Sequence, residues 1–489
     1  MHAATFNEQS SAQHLNGSTW LYVFAWAATL VDQFLHLPMA GDAAGIAILG
    51  FLLLEFGRQR RYAQILFLAL CGIGLVGVVS SAAPLTLFLS AWRRGAGYAA
   101  FFLALSSLRD AAETSPLIRR CGQHLVAQPP GRRYAALTAG GHLFGIILSY
   151  GAIELLGAMV MRANTLEAAG GSADVRAIRS RRMLMAIYRG FCVMNCWSPL
   201  NLMTAVVSTA VPAAPMRILL PAAFLVSLLM TALGWLEDRL TAPPRLAVAA
   251  RLPADERWSI HLRVIGLVLL VMLLAEGGSI VLGISLVAVI TLVVPMVGFT
   301  WVLVQSRRFV ARGSFAAALP RVLGVLRRRS GRFLLRVPAF RGEATVLAGS
   351  GFMAVAVAGV LPAAALAPLI GDLPPLAVPL LVPVLLIATG QLGLNPVAVI
   401  ALLGAAMPNP AVFGVPPAVL AFSCMLGWGL AVNMTPMSAS AITTARWAGV
   451  SPWTVSTVWN AGYTASALVL AWLAIAVAFT LGPSNFTLG

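Results

Sequence analysis

The chain has 489 residues, 59% of them hydrophobic and 10% charged, with a mean hydropathy of +0.87. That composition excludes an ordinary soluble domain, and apolar runs that repeatedly reach the ~20 residues needed to cross a bilayer indicate an all-α polytopic membrane protein. All 33 basic residues are arginine and the formal net charge is +17, but the arginines lie in short connections between apolar runs, so membrane topology accounts for them and nucleic acid is not expected as a partner.

Residues 1–18 are polar and lack a basic leader region, so a plain N-terminal tail is expected rather than a cleavable signal peptide. Tail and first helix together take residues 1–41. Spans follow near 19–37, 42–56, 62–83 and 95–108. Arg58, Arg60 and Arg61, then Arg119, Arg120, Arg132 and Arg133, mark the cytoplasmic side and place the N-terminus there. The run 134–161 has arginines before it and Arg162, Arg176, Arg179, Arg181 and Arg182 after it. One span would put a basic cluster outside, so a re-entrant hairpin is expected, with Gly140-Gly141, Gly145 and Ser149-Tyr150-Gly151 as places to turn. A single span with an arginine-rich external loop is the alternative. Residues 183–211 form an apolar run interrupted at Trp197-Ser198-Pro199-Leu200-Asn201, and a span over 216–236 closes a first unit, 42–236. A polar linker, 237–257, is expected in the cytoplasm.

The second unit, 258–489, opens with spans near 262–275, 279–304 and 344–369. Between the last two, residues 305–342 are basic and amphipathic, from Arg307 to Arg341 with interleaved Phe309, Phe315, Leu323, Leu326 and Leu334, and should lie along cytoplasmic leaflet lipids. Residues 376–408 form a second hairpin turning at Gly390 to Pro396. A second interrupted helix, 415–446, breaks at Met434-Thr435-Pro436-Met437-Ser438, and a last span covers about 452–479. Ser198 and Thr435 lie 237 residues apart, and the same separation relates Gly190 to Gly427, Pro199 to Pro436, Pro215 to Pro452 and Trp235 to Trp472. The count of passes turns the second unit upside down relative to the first. Two proline-broken helices at matching positions of inverted halves point to a secondary transporter with a midplane site. The expected total is about 11 transmembrane helices plus two re-entrant hairpins.

In this order of elements the chain resembles the ion transporter superfamily, the elevator-type carriers that include the divalent anion/sodium symporters. The resemblance covers nearly the whole chain as architecture. At the hairpin tips the symporters carry Ser-Asn-Thr, and this chain has Ser149-Tyr150-Gly151 and Leu394-Asn395-Pro396. The resemblance implies a moving transport domain of hairpins, broken helices and closing spans, set on a homodimeric scaffold of the remaining spans in a bacterial inner membrane.

Proline removes a backbone donor and frees carbonyls, so each break directs unpaired backbone groups at a cavity, N–H groups from one helix half and carbonyls from the other. Polar side chains beside the breaks are the candidate substrate and ion ligands: Asn195, Ser198, Pro199, Asn201 and Thr204 in the first unit; Gln391, Asn395, Asn433, Thr435, Pro436, Ser438 and Ser440, with Thr443 and Asn460, in the second. Their oxygens suit Na⁺ as coupling ion, with Ser198, Asn201, Thr435 and Ser438 as the candidate Na⁺ site and no other cofactor. Each hydroxyl could instead satisfy its own helix backbone. Converging helix N-termini favour an organic anion as substrate, and the absence of an acidic pole argues against a cation. His142 and Glu154, ionisable groups within the first hairpin, offer an H⁺-coupled alternative; otherwise His142 bonds a carbonyl and Glu154 sits near an aqueous mouth. A third reading is a membrane-embedded transferase using His142, although no second catalytic group beyond Glu154 accompanies it. Arg189 is expected to snorkel to the interface. Asp32, Glu55, Asp110 and Glu276 are expected to be interfacial, and Cys192 and Cys196 to be packing residues.

Overall fold

The computed structural model describes residues 16–241, 257–306, 315–358 and 373–481. Among them the chain is helical, without strands. The first helices are α1 (Gly17–Leu35), α2 (Pro38–Glu55), α3 (Arg61–Val79), α4 (Pro84–Glu113) and α5 (Pro116–Val126). Then come α6 (Pro130–Leu148), α7 (Gly151–Ala163), α8 (Ala173–Met194), α9 (Leu202–Ala210) and α10 (Met216–Thr241). The later helices are α11 (Ser259–Leu282), α12 (Leu286–Ser306), α13 (Phe315–Arg336), α14 (Arg341–Ala358) and α15 (Ala377–Gln391). They end with α16 (Pro396–Ala406), α17 (Pro417–Met434), α18 (Ala439–Ala448) and α19 (Ala461–Leu481). Among the described residues, seven stretches are long and apolar enough to cross a membrane: 38–58, 61–79, 216–241, 259–282, 286–306, 417–448 and 461–481. The other expected spans are α1, α4, the α8–α9 pair and α14. Of these, α4 carries Arg93, Arg94, Arg109 and Asp110, and α14 is described only to Ala358.

Several boundaries differ from those expected, each for a local reason. α4 starts at Pro84, where a proline at the first helical position costs no hydrogen bond. α8 starts at Ala173 rather than 183, because the Ser172 hydroxyl accepts from the Val175 amide and caps it. α10 runs through Glu237 and Asp238, which are held by Arg189 and Arg182 at 3.2 and 2.7 Å. The last span is not continuous from Pro452: a π-helical turn, Thr454–Val458, precedes a break at Trp459-Asn460, and α19 begins only at Ala461. α5, an amphipathic helix, was not expected. The N-terminal tail before residue 16, most of the linker (242–256), part of the basic arm (307–314), the end of the 344–369 span and residues 482–489 lie outside the described residues.

Both expected hairpins form as helix pairs with short connections. α6 and α7 are joined by Ser149 and Tyr150, with Ser149 at φ 51°, a left-handed value unusual for a residue with a Cβ. α15 ends in a Schellman closure, with Leu394 N donating to Thr389 O at 2.9 Å and Gly393 N to Gly390 O at 3.0 Å. Gly393 takes φ 86°, which a Cβ would oppose. Gly140, Gly141 and Gly145 do not turn the first hairpin; they lie within α6. There a Cβ on Gly141 would strike Ile187 O, and one on Gly190 of α8 would strike Thr138 O, so α6 and α8 touch backbone to backbone.

A small cluster of Leu66, Leu70, Met353, Val357 and Ala398 sets α3 and α14 against α16, and besides it two large hydrophobic cores result. A smaller one is built by α1, α2, α3, α4 and α14, around Tyr22, Phe51, Trp92 and Phe352. A larger one joins the hairpin helices, the interrupted helices, α10 and α19, and also takes residues from α4, α5, α11 and α12. Glu55, expected at an interface, is fully buried in the smaller core region, where it accepts from Ser18 Oγ at 2.8 Å and pairs with Arg58 and Arg341 at 3.1 and 3.5 Å. A buried carboxylate needs such partners.

Candidate functional site

The two interrupted helices are open between Asn195 and Asn201 and between Thr435 and Ser438. Neither segment continues its helix, because proline at 199 and 436 lacks the amide and disfavours helical geometry in the residue before it. Three helices restart beside one cavity of about 330 Å³, and each restart is capped by a side chain that lines it. Asn201 Oδ1 accepts from Met203 N at 2.9 Å, Ser438 Oγ from Ala441 N at 3.1 Å, and Asn395 Oδ1 from Val397 N at 2.9 Å. α7 restarts at Gly151 without a side-chain cap, and Ser149 and Tyr150 line the same cavity. Four helix N-termini therefore face one space. A cap satisfies only part of the first-turn N–H set, so each end retains positive character.

Of the residues expected from the sequence, Asn195, Asn201, Asn395, Thr435, Ser438 and Ser440 line the cavity. Asn201 Nδ2 donates to Asn195 Oδ1 at 2.7 Å, and Ser438 and Ser440 Oγ lie 3.1 Å apart. Thr204 lines a different cavity of about 990 Å³, bounded also by Asp32, Arg93, Arg94, Tyr98 and Arg217, and its hydroxyl donates to Ser198 O at 2.9 Å. Pro199, Pro436, Gln391, Asn433, Ser198, Thr443 and Asn460 lie off the cavity wall. Three of them nevertheless present buried oxygens without a partner among the described residues: Ser198 Oγ, Gln391 Oε1 and Asn433 Oδ1. Acceptors left without donors fit a hard cation better than they fit an apolar core.

The carbonyls at the second break are not free, contrary to expectation. Asn433 O accepts from Tyr188 OH at 2.8 Å and Asn460 Nδ2 at 3.1 Å, and Met434 O from Gln391 Nε2 at 2.6 Å. Nor does Arg189 snorkel. It is 6% exposed, donates through Nε to Asn460 Oδ1 at 2.9 Å, pairs with Glu237 and stacks 4.4 Å from the Tyr463 ring. The break in the last span thus supplies Asn460, which ties Arg189 to the carbonyl of Asn433. His142 and Glu154 are not partners. His142 Nε2 accepts from Trp197 Nε1 at 2.8 Å rather than bonding a carbonyl, while Glu154 pairs with Arg446. Cys192 and Cys196 are buried and unbridged.

Sequence reasoning missed the cavity's charged walls. Arg109 of α4 lines it, donating through Nε to Glu113 at 2.9 Å and lying 4.1 Å from the Tyr150 ring centroid. Glu343, in the first turn of α14, lines it too, so an acidic pole is present. Tyr62 of α3, whose hydroxyl donates to Gly393 O, and Phe102, Phe191 and Trp428 add aromatic surface. Only the position of Arg109 and Glu343 near helix ends was visible beforehand, and that signal is shared by many interfacial residues.

No family model matches the sequence, and no curated protein matches it. Among solved structures, the chain is similar to the YdaH transporter of Alcanivorax borkumensis, whose crystal structure is described as revealing an unusual topology. The TM-score is 0.53 at 17% identity, over 86% of this chain and 99% of that one. At that identity the likeness is one of fold. The chain is a multi-pass, all-helical membrane protein with the fold of a transporter.

Proposed function

We propose that the protein is a secondary active transporter of a small organic anion, coupled to Na⁺. The observation that carries this reading is the convergence of four helix N-termini and Arg109 on one cavity between the two breaks and the two hairpin turns. Such a space favours negative charge without committing a fixed metal. Na⁺ is cargo in this scheme, held by oxygens of Ser198, Asn201, Thr435 and Ser438, and the orphaned buried oxygens at the breaks support a cation nearby. Coupling through His142 and Glu154 is disfavoured because each is engaged elsewhere. A transferase built on His142 lacks a neighbouring acid or nucleophile for the same reason.

An elevator movement of the ion transporter superfamily type accounts for the two large cores. The hairpins, interrupted helices, α10 and α19 would move against the smaller core of α1 to α4 and α14, which would also make the homodimer contact. With the arginine-rich ends cytoplasmic, the two halves of the chain are inverted repeats in a bacterial inner membrane. The cavity walls given by the C-terminal end of α4 and the N-terminal end of α14 then lie toward the cytoplasm, an inward-facing arrangement. Flux of candidate organic anions into proteoliposomes, under separately imposed Na⁺ and pH gradients, tests the scheme. Accumulation is expected with the Na⁺ gradient alone. Uptake that follows only the pH gradient, or neither gradient, would overturn Na⁺ coupling.

A further inference from the structure

The cavity carries one charge that an anion site does not need. Glu343 lines it, yet among the described residues its carboxylate closes no ion pair. Arg109, on the same wall, spends one of its five N–H donors on Glu113, which it shares with Arg336 at 3.2 Å. A positive pole and a negative pole therefore face one space without neutralising each other. An unpaired carboxylate at that position is costly unless something else meets it. A proton or a cation brought in by the solute can meet it, and the Arg109 pole facing the same space favours a solute that carries both charges. Tyr62, Phe102, Tyr150, Phe191 and Trp428 line the space between, which favours an apolar or aromatic body.

We infer that the transported solute is a zwitterion, its carboxylate held at Arg109 and the helix N-termini and its ammonium at Glu343. This inference rests on the anion-site reading above and narrows its substrate class to amino acids and compounds built like them. A purified, full-length protein in Na⁺ buffer can be titrated, by thermal shift and by calorimetry, with matched triads: phenylalanine, N-acetylphenylalanine and phenethylamine, and the same derivatives of leucine. The free amino acid of at least one triad is expected to bind at least tenfold more tightly than its N-acetyl form. Glu343→Gln should erase that preference, bringing the free amino acid and its N-acetyl form to similar affinity or reversing their order, and Glu343→Asp, which keeps the charge, should retain part of it. Arg109→Gln should weaken both carboxylates.

The preference surviving in Glu343→Gln, or N-acetyl compounds binding as well as free amino acids in the unaltered protein, would overturn the inference and leave the anion reading standing. Phenethylamine binding as well as phenylalanine would instead overturn the anion reading itself. Absence of binding by every free amino acid tested would also reject the zwitterion. A pH-driven uptake lost in Glu343→Gln with unaltered amine preference would assign the carboxylate to a proton.

Discussion

Ser198 Oγ is fully buried and has no hydrogen-bond partner among the described residues, a condition that costs a core on the order of 1–3 kcal/mol. Ser198→Ala should therefore not destabilise the fold in the absence of Na⁺. If the hydroxyl is a Na⁺ ligand, the same substitution should weaken the Na⁺ dependence of uptake by about tenfold or more, read as a rise in half-saturating Na⁺. Unchanged Na⁺ dependence removes Ser198 from the ion site. Glu154 makes the opposite case. Its partner Arg446 is largely exposed, and ion pairs in contact with solvent contribute roughly 0–1 kcal/mol. Glu154→Gln is expected to leave both melting temperature and Na⁺-driven uptake near those of the unaltered protein, and loss of accumulation with retained exchange would restore the proton-coupled reading. At this scale residue type alone was a poor guide. Asn201, Asn395 and Ser438 both cap helices and line the cavity, whereas Asn433 and Asn460, chosen on the same grounds, serve the buried network around Arg189.

The interrupted helices were readable because proline acts locally, through its own missing amide and the geometry of its neighbour. Pro199→Ala and Pro436→Ala should each yield a folded protein with impaired transport, since a helix propagated through the break would withdraw its capped N-terminus from the cavity. Normal uptake by both would separate the breaks from function. The contact between α6 and α8 depends on a different feature. A Cβ at Gly190 meets the carbonyl of Thr138 and lies 3.1 Å from His142 N, atoms that cannot rotate away. Gly190→Ala should lower thermal stability by about 1–3 kcal/mol, the usual cost of overpacking, and a change within experimental error would show that the two helices can part freely. The break at Trp459-Asn460 was not anticipated, because no proline falls at it and the nearby Gly462 lies inside α19. Its π-helical turn is held by tertiary partners, with Asn460 between Arg189 and Asn433.

At the scale of the whole molecule, the proposed inverted arrangement makes a labelling prediction. A single cysteine placed at Asn409 should react with an impermeant reagent from outside, whereas cysteines at Gly170 and Gly331 should not, given the arginine-rich connections beside them. Four of the five native thiols are buried, which keeps the background low. External reaction at Gly170 would convert the α6–α7 hairpin into a span and undo the inversion. Ser484, a second expected external position, lies outside the described residues.

Hydropathy, arginine placement and the paired prolines by themselves determined the helical membrane class, the approximate helices, both hairpin turns and both breaks. These are properties of short stretches, set by the need to satisfy backbone groups in lipid and by the steric effect of single residues. Which polar groups share a space was decided only by tertiary structure. Arg109 and Glu343 are 234 residues apart in sequence and look interfacial, yet helix packing brings both to the cavity wall. Tyr188, an unremarked aromatic of α8, closes the carbonyls at the second break from across the molecule. Local rules place a backbone break, but a partner supplied by a distant helix depends on rotation and depth at the helix interfaces, which small residues such as Gly141 and Gly190 set through contacts that no single stretch of sequence contains.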